Sequence, residues 1–86
     1  MTKEEVQAIV VRHLRRIAPE MDAAQLQPEV GLRDQLDLDS IDFLNFIVAL
    51  HKELHVEVPE SDYPKLATLR GCVDYLGSRL AALSRP

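Results

Sequence analysis

The chain has 86 residues, 14 acids against 10 bases for a formal net charge of −4, and one cysteine. A chain this short makes one small domain, residues 1–86, which buries only about 60–65% of the surface its unfolded form would expose. The acid excess weighs against nucleic acid, whose recognition needs clustered cations. Cys72 alone excludes an internal disulfide and a structural zinc site, and fits a reducing cytoplasm.

Thr2 and Glu5 have the spacing of a capping box, and Val6, Ile9, Val10, Leu14 and Ile17 recur every three or four residues. This predicts a first helix over about Thr2–Ala18, stopped by Pro19. Its acids and amphipathic stripe are unlike a signal peptide. Arg12, Arg15 and Arg16 are read as its solvated side. No apolar run approaches the roughly 20 residues of a membrane span.

From Pro19 to Asp39 the sequence shows Pro28, Gly31 and no sustained period. Loops this long carry function or short helical turns of their own. Met21, Leu26, Val30, Leu32 and Leu36 are expected to pin this one onto a core.

The second helix is predicted over Ser40–Leu54, where a loop becomes a helix at Asp39-Ser40. Either residue can cap that start by accepting from backbone N–H groups the first turn leaves unpaired. Phe43, Ile47, Leu50 and Leu54 form one apolar stripe, widened by Phe46, and Ile41, Leu44 and Val48 form a second. So broad a surface packs on several elements or keeps part of itself for a partner. Beyond it, Pro59 and Pro64 leave room for a short turn of helix between Glu60 and Lys65.

Thr68 caps a last helix with apolar positions Leu69, Cys72, Val73, Leu76, Leu80 and Leu83, fraying near Ser84, Arg85 and Pro86. No β pattern is present. The fold class is all-α: a small bundle of three main helices plus one short helix, with a long loop between the first and second.

These residues resemble the acyl carrier proteins and the related carrier domains of polyketide and peptide synthases. Asp39-Ser40-Ile41-Asp42 matches the attachment motif, Val58-Pro59 the apolar-Pro step after the second helix, and Ala67-Thr68-Leu69 with Val73-Asp74-Tyr75-Leu76 the last helix. The four-residue motif alone is weak, but in this order of elements it is specific. The resemblance implies that 4′-phosphopantetheine from coenzyme A is esterified to the Ser40 hydroxyl by a phosphopantetheinyl transferase, with Asp39 beside it. A helix start suits the phosphodiester anion.

The resemblance implies a cytoplasmic carrier of acyl thioesters, expected to be a monomer and without catalytic residues of its own. Its partners are acyl-loading, acyl-transfer and synthase enzymes of fatty acid, polyketide or other lipid metabolism. In relatives that shield their cargo it enters between the helices. Phe46, Ile47, Leu50, Leu66 and Leu76 are the corresponding lining candidates, and equally the plain core.

Relatives in fatty acid synthesis carry a strip of acids along the second helix. Asp37, Asp39, Asp42, Glu53 and Glu57 remain here, but Asn45, His51 and Lys52 interrupt it. Charge complementarity governs partner choice and association rate, so a specialised rather than housekeeping carrier is expected. Ile41 and Val48 should form the apolar centre of the partner surface, ringed by Asp39, Asp42, Asn45 and Lys52.

Asp37 also replaces a glycine common near the motif. His13, His51 and His55 are read as lying on solvated faces, with no metal site expected. Cys72 is read as an inert core residue. Two alternatives stand beside this reading: an aminoacyl or peptidyl carrier loaded by an adenylating enzyme, and an unmodified helical adaptor.

Overall fold

The computed structural model describes residues 1–83. Four α-helices run in order: α1 (Lys3–Ile17), α2 (Leu32–Gln35), α3 (Ser40–Leu54) and α4 (Leu69–Leu83). Two 3₁₀ segments, Ala23–Gln25 and Glu60–Leu66, complete the described fold, and no strand occurs among these residues.

The helix α1 starts on the expected capping box. The Glu5 N–H donates to Thr2 Oγ1 at 3.2 Å, and the Thr2 N–H donates to Glu5 Oε1 at 2.9 Å. Val6, Val10 and Leu14 are fully buried, and α1 packs on both α3 and α4.

In the long loop, Leu32 is fully buried and Met21, Leu26 and Leu36 pack partly buried against the core. Val30 is exposed, contrary to expectation. Its turn is held through polar groups instead: Gln35 Nε2 donates to the carbonyls of Gln27 and Val30 at 2.8 and 2.9 Å. Two backbone bonds fasten the loop to the far half of the chain. The Leu32 N–H donates to Ala67 O at 2.8 Å, and the Arg70 N–H donates to Pro28 O at 3.0 Å.

The helix α3 has the predicted bounds and closes at His55, which takes the left-handed conformation with φ 55°. Phe46, Ile47, Leu50 and Leu54 supply the centre of the core, meeting Leu66, Leu69, Cys72, Val73 and Leu76. The 3₁₀ segment reaches one residue beyond the predicted turn, to the buried Leu66.

Asp62 anchors that segment to α4 by accepting from the Tyr75 hydroxyl at 2.7 Å and pairing with Arg79 at 3.3 Å. Thr68 caps α4 as predicted, its Oγ1 accepting from the Gly71 N–H at 3.0 Å. Leu83 departs from its predicted stripe: it is exposed, beyond the apolar cluster that ends at Leu80. The predicted fraying at Ser84, Arg85 and Pro86 lies outside the described residues.

Candidate functional site

Between α2 and α3 the chain turns sharply, and Asp37 takes the turn with φ 53° in the left-handed region. Aspartate is among the few side chains that tolerate this conformation. The turn buries Leu38 and brings its N–H to Arg33 O at 3.0 Å. Asp39 follows as the N-cap in a reciprocal box: the Asp42 N–H donates to Asp39 Oδ1 at 2.7 Å, and the Asp39 N–H donates to Asp42 Oδ2 at 3.4 Å.

The cap is therefore Asp39, and Ser40 is the first helical residue. Because Asp39 does the capping, the exposed Ser40 hydroxyl has no intramolecular hydrogen bond among the described residues. The N–H groups of Ser40 and Ile41 also have no described protein acceptor. Orphan N–H groups and the positive end of the 15-residue helix α3 lie at the same residue as one free hydroxyl.

Ser40 borders an open cleft of about 940 Å³ between the Gly31–Leu38 loop, α3 and the Glu60–Leu66 segment. Leu38, Phe43, Leu44, Tyr63, Pro64 and Ala67 give it apolar walls, while Asp34, Asp37, Glu60 and Arg33 give it charge. Phe46, Ile47, Leu50, Leu66 and Leu76 are all close-packed core residues, and none of them lines this cleft. Ile47 borders a smaller hollow of about 380 Å³ with Val48, His51, Val58 and Tyr63. Phe43, one turn after Ser40, is the sequence signal that could have located the cleft. Tyr63 and Pro64 are brought to it only by the tertiary fold.

On the outer side of α3, Ile41 is 66% exposed, Leu44 43% and Val48 38%. Asn45 and Lys52 are exposed beside them, and Asp42 is half-buried in its capping box. Leu44 joins this surface as well as the cleft, a double position that its place in the second stripe foreshadows.

His13 corrects the sequence reading: it is 4% exposed. Its position one step before Leu14 turns it inward, where its Nε2 meets Glu53 Oε1 at 2.7 Å. Glu53, also paired with Arg12, faces α1 rather than extending the acidic strip. The hydrogen bond from His13, then that from Arg12, holds its carboxyl below the usual range. His51 and His55 are exposed, with His51 Nδ1 2.9 Å from Val56 O. Burial pushes the Cys72 thiol up to about 12, and its Sγ donates to Leu66 O at 3.2 Å, so thiolate chemistry there is suppressed.

No group of three or more metal-ligating side chains is found among the described residues, and no described helix is long and apolar enough to cross a membrane. The donor set at Ser40 fits an esterified phosphopantetheine: a free hydroxyl, two unpaired N–H groups for the anion and an open, partly apolar cleft for the arm. When bound, that group supplies a terminal thiol able to hold a thioester.

Residues 4–76 match the family described as phosphopantetheine attachment site. Acyl carrier protein from Thermosynechococcus vestitus is 33% identical over 79 residues, covering 92% of this chain and 91% of that protein. The one from Helicobacter hepaticus is 31% identical over 75 residues, covering 87% and 92%. Among solved structures, the thermally stable acyl carrier protein from Enterococcus faecalis superposes with a TM-score of 0.79 at 30% identity, covering 92% of this chain and 99% of that one. The chain belongs to the acyl carrier protein family, whose members are carriers rather than catalysts and bear a covalently attached 4′-phosphopantetheine.

Proposed function

We propose that Ser40 is the attachment residue and that the chain carries acyl groups as thioesters for a specialised set of partner enzymes. One observation carries this reading: a capping box formed by Asp39 and Asp42 leaves the Ser40 hydroxyl free at the mouth of a cleft. On loading, the Ser40 oxygen forms a P–O bond as the pyrophosphate linkage of coenzyme A breaks. Adenosine bisphosphate leaves, and the hydroxyl proton passes to the transferase.

The chain's own contribution is to hold that oxygen on a rigid helix, set N–H groups toward the anion, and offer Phe43, Leu44, Tyr63 and Pro64 to the arm or its cargo. Specialisation is supported by the surface of α3. Asn45, His51 and Lys52 break the acidic strip, and Glu53 is engaged by α1. In this reading the carrier works as a monomer in the cytoplasm.

Intact mass after incubation with coenzyme A and a broad-specificity phosphopantetheinyl transferase tests the attachment. One phosphopantetheine should be added to the native chain and none to Ser40→Ala. No gain, or a gain that survives the substitution, refutes it. A second reading, a carrier of aminoacyl groups, is favoured by the carboxylates of Asp34, Asp37 and Glu60 around the cleft, which suit an ammonium. Parallel loading with acyl donors and with adenylating enzymes separates the two.

A further inference from the structure

Twelve residues line the cleft at Ser40, and Arg33 is the only cation among them, sharing the lining with the carboxylates of Asp34, Asp37 and Glu60. Despite those neighbours, Arg33 forms no ion pair with a carboxylate of the described residues. Its Nε donates instead to Leu38 O at 3.5 Å, while the Leu38 N–H donates to Arg33 O at 3.0 Å. This double tie, closed by the left-handed turn at Asp37, holds the stem of Arg33 against the residue two before Ser40. The terminal nitrogens of the guanidinium are left without a described protein acceptor.

A phosphodiester on Ser40 is a permanent anion placed beside several carboxylates, which repel it. A guanidinium is always charged and offers a fork of N–H donors matched to phosphate oxygens. We propose that Arg33 is the counter-charge that positions the phosphodiester of the attached arm, an inference that rests on Ser40 being the attachment residue. The Ser40 and Ile41 N–H groups meet the anion from the helix, and Arg33 meets it from the loop. The cation also offsets the local acid excess, which explains why a carrier with Asp34 and Asp37 here can accept an anionic group.

The test compares apo and holo forms of the native chain, Arg33→Gln and Arg33→Lys, each form verified by intact mass. Loss of the tie to Leu38 lowers the Tm of both forms of Arg33→Gln alike. The holo form should lose a further ~2–6 °C, an excess that shrinks in about 0.5 M salt and is partly recovered in Arg33→Lys. In the native chain the Arg33 Nε–Hε resonance should shift on modification. Equal Tm losses in the two forms, or an unmoved resonance, overturn the role of Arg33. Absence of any mass gain in the native chain instead overturns attachment itself.

Discussion

His13 has two ring nitrogens and one partner: Nε2 lies 2.7 Å from Glu53 Oε1, whereas the buried Nδ1 has none. A carboxylate only accepts, so the tautomer is assigned with the proton on Nε2. Glu53 thus satisfies a polar group that would otherwise be stranded between α1 and α3, and an unsatisfied buried polar group is costly. Its carboxyl is held below its ordinary value of 4.5 by His13 and then Arg12. A carboxyl lowered on folding stabilises above its unfolded value, and that stabilisation is lost as pH falls through the folded one. Glu53→Gln should therefore lower Tm at about pH 7 and make little difference at about pH 3. A Tm penalty that is the same at both pH values would refute the charged role. Asp62, lowered first by the Tyr75 hydroxyl and then by Lys65 and Arg79, adds acid sensitivity of the same sign.

At the scale of the helix, α4 places two glycines in opposite situations. A Cβ on Gly71 would lie 2.2 Å from the Lys65 carbonyl oxygen, because the end of the 3₁₀ segment crosses the first turn of α4 there. A Cβ on Gly77 would meet nothing within 4 Å. Replacing a helical glycine by alanine gains up to about 1 kcal/mol from propensity, whereas forcing a backbone apart costs about 1–3 kcal/mol. Gly77→Ala should raise Tm, by at most about 4–8 °C, and Gly71→Ala should lower it, which thermal unfolding followed by circular dichroism will read. A stabilised Gly71→Ala would mean the segment gives way without cost.

The same contrast shows what is legible in one sequence. The starts of α1, α3 and α4 are local chemistry, written in Thr2 with Glu5, in Asp39 with Asp42, and in Thr68; all three starts are legible in the sequence, although it leaves open whether Ser40 or Asp39 caps α3 and gives no sign of the part played by Asp42. The inward turn of His13, the exposure of Val30 and the approach of Lys65 to Gly71 depend on neighbours distant in sequence, so periodicity cannot reveal them. The motif around Ser40 is local and legible. The cleft it opens onto is assembled from α2, α3 and the 3₁₀ segment, and is not.

Over the whole molecule, charge and apolar surface are distributed unevenly along α3. The acids nearest Ser40, Asp37, Asp39 and Asp42, stand at one end of α3, while His51 and Lys52 stand at the other, with Ile41, Leu44 and Val48 exposed between them. A partner with a uniformly basic docking patch meets attraction at the first end and repulsion from Lys52 at the second. Such long-range terms act chiefly on the association rate and fade with salt. The double variant Asn45→Glu, Lys52→Glu restores a continuous acidic face without touching Ser40, its cap or the core. In its holo form it should be acylated by a malonyl transferase of fatty acid synthesis with kcat/KM raised about tenfold at low ionic strength, the gain vanishing at about 0.5 M salt. An unchanged rate would mean that the interrupted strip does not set partner choice, and would shift that role to the apolar residues Ile41, Leu44 and Val48.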